Sequence, residues 1–577
     1  VTGDLAGSLI RAGVAGGVSV VVAIEALSVF GGLSRATAAL AGIGALLVAG
    51  AMLRREPRSP APPRWLTGPA GALLGTIFAV TFVVALAAAP NNWDSMTYHL
   101  TRVEHWFSLG SVAHYPTAID RQVWQPPFAE YLVAVAMGWS GGGDRLANLV
   151  QWLAFVGAVA AVARVTRTIG GDGAAGSLAA LLAATLPSAV LQATSTQNDL
   201  LVGFWLVAGL GFALDDESSR PRSPWWVGAA LALAVGTKGT ALVFGLPLVG
   251  FYGIRAARRD GLGGAGRRVA IVGLVMAALN GPWLLRNWQT YQSPLGDPIV
   301  QRLLRPASMA PNVVASNLVA QASLHWATPG SIGERVGRPV LEGANRLLGV
   351  DPAEAYPYFG GFRLVPWSTD EDLAGAPLYL LLLVGAIALA VRERRQLTPE
   401  AIAIWWLAGA AAILLAMTVR WRLVVGALAT ASAVPPLLMN LTRPLVSAAN
   451  PLGVRSVLAE DRAAQYFARR PEDRAGYRAA VDRVTAAGCR VVGIKASYDS
   501  WEYPLWALAR SDGRPLRFFQ IEVANATARH AVGNGDEACA IVALDQPPEW
   551  RPTGPREWVP AGRDGRIAVW LPGPAAR

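Results

Sequence analysis

Within NNWDSMTYHLTRVEHWFSLGSVAHYPT, residues 91–117, stand three of the chain's five histidines, His99, His105 and His114, together with Asp94, Arg102 and Glu104. A carboxylate beside imidazoles can take a proton from a hydroxyl, and the same groups suit a divalent cation. Other scarce polar residues stand at the ends of apolar runs. These are Gln197, Asn198 and Asp199 in TSTQNDL, Lys238 in GTKG, Arg286 and Asn287 in WLLRNW, and Arg420 and Arg422 in TVRWRL. Gathered at one membrane boundary, they would deprotonate an acceptor while neutralising an anionic leaving group, as phosphoryl-linked donors require.

The elements that must position them are membrane helices. The chain has 577 residues, 53% hydrophobic and only 15% charged, with a mean hydropathy of +0.36. Soluble domains carry roughly 25% charge. Apolar runs long enough to cross a bilayer recur near 12–31, 36–53, 69–89, 146–165, 174–193, 199–214, 225–254 (broken), 267–287, 376–391, 400–418 and 423–441. The first, VAGGVSVVVAIEALSVFGGL, has no clear cleavage site and reads as a retained helix. The net charge of +11 sits in short connections such as LRREPRSP and RAARRDGLGGAGRR. That is the positive-inside pattern, so basic charge here sets topology and nucleic acid is excluded as a partner.

With LRREPRSP inside, the 69–89 span delivers residues 91–117 to the outer face, and the next pair of spans puts TSTQNDL there too. Basic residues flank both ends of the 225–254 segment, so its Gly-Thr-Lys-Gly break is expected to tip a hairpin outward, carrying Lys238. Non-helical backbone at membrane depth survives only against protein or a wet cavity, and a lysine there marks a functional site. A loop at 289–373, rich in Trp, Tyr and Pro, is expected to hold ordered pieces. From about 450, strand-like runs (CRVVGIKA, LRFFQIEVA, CAIVALD, RIAVWLP) alternate with helical ones (YRAAVDRVTAAG, YPLWALAR), which predicts a small α/β domain. Cys489 and Cys539 lack metal-site spacing. They read as two buried thiols, or as one disulfide if that domain lies outside. GDGAAG at 171–176 matches a dinucleotide fingerprint, but no strand precedes it and it carries no function.

The spacing of Leu100, Val103, Trp106 and Phe107 predicts an amphipathic helix over 96–109 lying at the interface. Asp94 would then be either its N-cap or a catalytic carboxylate. A cap leaves His99, Arg102, Glu104, His105 and His114 without a role, which favours chemistry.

Three ordered stretches, NNWDSMTYHLTRVEHWFSLGSVAHYPT…RQVWQPPFAEYL, GTKGTALVFGLPL and NGPWLLRNWQTYQSPLGDP, resemble membrane glycosyltransferases of the GT-C fold. The branch most similar contains protein O-mannosyltransferases and lipid A aminoarabinose transferases, and the resemblance covers roughly 65–440. It implies a mainly α-helical polytopic membrane protein of about 11–13 spans with a small C-terminal α/β domain. The organisation expected is an N-terminal transmembrane hairpin (1–64), a catalytic module (65–445) with outer loops 90–145 and 289–373, and the C-terminal domain (450–577). The family's first-loop acidic base falls on Asp94, although Ser95 replaces the second acid of its usual pair, and a second acidic site falls near Asp199. Span counting alone would put the C-terminal domain inside; the resemblance puts it outside, and we follow the resemblance.

The function this implies is transfer of a sugar from a polyprenyl-phosphate donor to a glycan, lipid or protein acceptor at the outer face of the cell membrane, with inversion. Asp94, Asp199, His99 and His105 are the candidate catalytic groups. Arg102, Glu104, Arg121, Gln125, Gln197, Asn198, Lys238, Arg286, Asn287, Arg420 and Arg422 are the candidate substrate-binding residues. Lys238, Arg286 and Arg420 would hold the donor phosphate. No cofactor is required, and Asp94, Asp199 and a histidine would suit a divalent metal. The rival reading is a transporter or flippase of lipid-linked sugars. Such folds tend to carry internal repeats, and none is found in this sequence.

Overall fold

In the computed structural model, the residues described are 5–55, 66–215, 223–304, 308–328, 332–351, 364–392, 422–448, 450–514, 516–531, 537–554 and 556–573. Five helices among them are long and apolar enough to cross a membrane: α1 (Leu5–Val29), α2 (Arg35–Arg55), α3 (Gly68–Ala87), α7 (Leu149–Thr168) and α12 (Ala241–Tyr291). The last has 51 residues, too long for one crossing, and Gly261 breaks it with φ 71° inside the basic turn RAARRDGLGG. Only glycine takes that conformation without strain. Its two arms account for the second half of the broken hairpin and the span expected at 267–287. Large apolar side chains on these helices are exposed, among them Val22, Leu40, Leu47, Val243 and Leu246, as a lipid-facing surface requires.

Between the long spans run α4 (Leu100–Leu109), α5 (Arg121–Trp124), α6 (Phe128–Trp139), α8 (Gly173–Ala184), α9 (Pro187–Gln192), α10 (Asp199–Leu214) and α11 (Ser223–Thr237). The run expected as one span at 174–193 is interrupted where Pro187 opens α9. Helix α6 was not expected from the sequence: its 12 residues are too few to read as a span, and it is buried among other helices. The loop after α12 holds α13 (Pro298–Leu304), α14 (Pro311–Ser323) and α15 (Ile332–Leu348), so it does contain ordered pieces. Then come α16 (Pro377–Arg392) and α17 (Arg422–Leu438). The span expected at 400–418 lies outside the described residues.

The C-terminal part is α/β, as the alternation predicted. Helices α18 (Arg462–Gln465), α19 (Arg474–Ala486) and α20 (Tyr503–Ser511) accompany β1 (Val491–Lys495), β2 (Arg517–Gln520), β3 (Ala540–Leu544), β4 (Trp558–Asp564) and β5 (Ile567–Pro572). The sheet order is β2-β1-β3-β5-β4, with β1 parallel to β2 and β3, and β5 antiparallel to its neighbours. Strand β4 escaped the sequence reading because none of its side chains is buried at the sheet edge and it includes Pro560. Cys489 and Cys539, at the starts of adjacent parallel strands, are disulfide-bonded, which replaces the two-thiol reading.

The side on which this domain lies is fixed by α17. Its first residue, Arg422, pairs with Asp172 at the turn between α7 and α8, whereas Leu441, just past its end, donates to the Thr369 carbonyl. The chain therefore leaves α17 at the same end of the bundle as residues 91–125. The domain shares an end of the bundle with residues 91–125, an arrangement that the resemblance implied and span counting did not.

Candidate active site

Residues 91–125 are held by the C-terminal domain almost continuously. Glu104 pairs with both Arg35 and Arg510. Glu502, fully buried, accepts from Gln122 Nε2 at 3.0 Å and meets His105 at 3.4 Å. Thr117 and Thr527 exchange hydrogen bonds of 2.9 and 3.0 Å. Asp144 receives Tyr466 and Tyr503 hydroxyls at 2.7 and 2.8 Å and pairs with Arg462 at 2.5 Å.

This covering corrects the interfacial-helix expectation. Leu100, Val103 and Trp106 are buried, but so are Arg102, Glu104 and His105 on the same two turns of α4. The polar face lies against folded protein instead of headgroups. The physical reason is that each charged group there finds an opposite charge or a dipole inside the protein: Glu104 on Arg35 and Arg510, His105 on Glu502, and Arg102 on Glu130 and the Gln125 carbonyl.

Asp94 is not the cap of this helix. It makes no side-chain capping bond, and Asn92 Oδ1 accepts from the Ser95 amide at 2.7 Å instead. From Ser95 to His99 the backbone forms a wide π-turn, with Leu100 N–H reaching the Ser95 carbonyl. Such turns reorient side chains and recur at functional sites. Here Tyr98 turns back so that its hydroxyl donates to Asp94 Oδ2 at 3.3 Å. Among the described residues Asp94 forms no ion pair, and it is half-buried.

Around Asp94 the expected convergence is real. Ser95 Oγ and Thr196 Oγ1 hydrogen bond, which sets Asp94 beside TSTQNDL. Asn198 Nδ2 donates to the Thr237 carbonyl at 3.2 Å, joining that turn to the break between α11 and α12. At the break Lys238 pairs with Asp199 at 2.5 Å, and both remain partly exposed. Gly236 lets the break approach α6: a Cβ there would stand 2.1 Å from the Phe128 ring. Three separate segments therefore deliver Asp94, Gln197, Asp199 and Lys238 to one place.

A fourth segment was missed. Gln197 Nε2 donates to Asp372 Oδ1 at 3.2 Å, in the run Asp370-Glu371-Asp372 that precedes α16. Burial, the neighbouring Glu371 and Asp370, and Asp94 itself push the Asp372 carboxyl up to about 7. Glu371 pairs with Arg443 at 3.0 Å, and Arg469 pairs with Asp370 at 2.6 Å. The signal available in the sequence was three consecutive acids in a chain only 15% charged.

Other candidates lie elsewhere. His99 is bonded to Glu130, and Arg102 donates to the Gln125 carbonyl at 3.0 Å beside the same Glu130, both fully buried. Gln125 meets Arg102 through its backbone. His105 stacks on Tyr115 at 4.4 Å. His114 bonds Thr290, which also bonds His530; burial and Arg286 hold the His114 pKa well below the ordinary imidazole range. Arg286 is engaged at 2.8 Å by both oxygens of Glu25, and Asn287 spans the Trp124 and Pro294 carbonyls at 3.0 Å. Arg121 pairs with Asp499. Arg422, paired with Asp172, is at the opposite end of the bundle because α17 starts there, and so it does not join the site. Arg420 lies outside the described residues. Among the described residues no three His, Cys, Asp or Glu side chains converge to hold a metal ion.

Residues 124–283, from α5 to the last turns of α12, match the profile of the dolichyl-phosphate-mannose-protein mannosyltransferase family. That part of the chain is similar to these mannosyltransferases. No curated protein matches it in sequence. Among solved structures, ArnT from Cupriavidus metallidurans bound to undecaprenyl phosphate aligns at 16% identity, covering 88% of this chain and 99% of that one, with a TM-score of 0.46. AglB from Archaeoglobus fulgidus, an archaeal oligosaccharyltransferase in complex with an inhibitory peptide and a dolichol-phosphate, aligns at 13% identity over 82% of this chain and 69% of that one, with a TM-score of 0.37.

Proposed function

We propose that this chain is a GT-C glycosyltransferase of the cell membrane, which moves a sugar from a polyprenyl-phosphate donor to an acceptor hydroxyl at the outer face. The observation that carries this reading is the placement of Asp94, which forms no ion pair among the described residues, on the segment that bonds the turn bearing Asp199 and its partner Lys238.

Asp94 takes the proton of the acceptor hydroxyl as its oxygen attacks the anomeric carbon. The bond from that carbon to the phosphate oxygen breaks with its electron pair, and configuration inverts. Lys238, oriented by Asp199, has further donors free to meet the charge developing on the phosphate, as a point charge can. Arg286 is left out of this step because Glu25 neutralises it on both oxygens.

A lipid-linked donor also needs somewhere for its chain. Directly below the Lys238 break is a cleft of about 160 Å³ lined by apolar side chains: Leu231 and Val235 of α11, Leu242, Leu246 and Val249 of the first arm of α12, Met276 of the second. Two glycines, Gly245 and Gly273, keep it open.

The test is transfer of radiolabelled sugar from polyprenyl-phosphate donors in membranes expressing the chain, beside the same membranes carrying Asp94→Asn. Transfer that depends on Asp94 supports the reading. Movement of intact labelled donor across the bilayer, with no sugar transferred, would make the chain a transporter.

A further inference from the structure

We propose that Asp499, in the loop after β1, is a positioning residue for Asp94, so that the C-terminal domain is part of the catalytic unit. This rests on the assignment of Asp94 as base.

The loop Ser497–Trp501 follows the central strand of the parallel part of the sheet, the end at which α/β domains place working residues. Asp499 uses both carboxylate oxygens on the segment that carries Asp94. Oδ2 accepts from Trp93 Nε1 at 2.8 Å, and Oδ1 pairs with Arg121 Nη2. One contact grips the residue just before Asp94. The other holds a guanidinium clamped between the rings of Tyr98, at 5.5 Å, and Tyr498, at 5.0 Å.

The second grip decides the chemistry. Tyr98 is the residue whose hydroxyl reaches Asp94. Arg121 therefore stands one ring away from the base, within electrostatic range of it. A cation free to pair with Asp94 would hold its lone pairs and stabilise it as a carboxylate, weakening it as a proton acceptor. Asp499 takes that cation instead. Trp93 is fixed as well from its other side, by Arg470 at 4.3 Å and by Trp501 at 5.3 Å edge to face. The geometry assigns Asp499 the task of keeping Arg121 occupied and Trp93 still, with no contact to the reacting atoms.

Three variants test it: Asp499→Asn, Arg121→Gln and the double variant. Asp499→Asn keeps the shape and the Trp93 acceptor but frees the Arg121 charge. Its kcat is expected to fall at least tenfold, with the donor KM changed less than twofold. The double variant, which no longer has a cation to misplace, is expected to recover to within about fivefold of the parent. A merely structural role would make the double variant as poor as the single or worse, and that result overturns the proposal.

A second readout does not depend on sugar transfer. Carbodiimides modify protonated carboxyls, so the labelling rate of Asp94, read by peptide mass spectrometry at fixed pH, reports whether a cation holds it ionised. Labelling should slow in Asp499→Asn and return in the double variant. Equal rates in all forms would sink the proposal, even in a chain proved to transfer sugar. The expected pattern in a chain proved not to transfer sugar would reject the function while leaving this coupling in place.

Discussion

Glu371 and Arg443 face each other at 3.0 Å with neither side chain reached by solvent. One precedes α16 and the other follows α17, so this pair ties the acidic run beside Asp94 to the segment leading into the C-terminal domain. Arg443 also donates to Asn91 Oδ1 at 2.5 Å, three residues before Asp94. Removing one partner leaves an uncompensated buried charge, which costs about 3–5 kcal/mol. Glu371→Gln should therefore lower the thermal midpoint in detergent sharply. The double variant Glu371→Gln/Arg443→Met should recover part of the loss. An unchanged midpoint in Glu371→Gln would show that the pair holds nothing together.

Asp94→Asn should reduce transfer by about 10²–10⁴-fold, the usual worth of a positioned base. Because Asp94 makes no capping bond, its thermal midpoint should stay at the parent value. Lost stability with retained turnover would return Asp94 to a structural role.

Lys238→Gln should lower kcat/KM for the donor by roughly 10–100-fold, the equivalent of a charge-assisted hydrogen bond of about 1.5–3 kcal/mol. The acceptor KM should not move. Asp199→Asn should act in the same direction, and the double variant should cost less than the sum, since the two side chains form one pair. Steady-state kinetics with each substrate varied separately decides this. An effect confined to the acceptor would exchange the two sides of the site.

Membrane topology can be read with an impermeant thiol reagent. The native cysteines are bonded to each other, so they give no background. Lys238→Cys and Tyr498→Cys should react from one side of a sealed vesicle, and Arg422→Cys from the other. Labelling of Lys238→Cys and Tyr498→Cys from opposite sides is incompatible with the fold.

Asp372 should make stability depend on pH. Its carboxyl titrates near 7 in the folded chain and near 3.8 when unfolded. Between these values the folded state holds a proton that the unfolded state has lost, so this group's contribution to stability falls as pH rises from about 4 to 7. Asp372→Asn cannot ionise. It should match the parent's midpoint near pH 4 and exceed it at pH 8, and an equal gap at both would disprove the assignment.

Apolar runs, basic turns and the Gly-Thr-Lys-Gly break were enough to read the membrane class, most of the spans and the place of Lys238. They are local signals: hydropathy over a helix length and charge in a short loop are written in consecutive residues. The resemblance added an expected role for Asp94 and put the C-terminal domain at the end of the bundle that carries residues 91–125. Tertiary structure alone decided how the polar residues divide. Asp94, Gln197, Asp199 and Lys238 share a site with Asp372, while His99, His105, Arg102 and Glu104 are spent in buried pairs. Their partners, Glu130, Glu502 and Arg510, stand up to four hundred residues away in sequence, and no local pattern reveals who neutralises whom. A charge can serve chemistry only while it keeps an open side, as Lys238 does beside Asp199. That is a property of distance in space, which the order of residues does not contain.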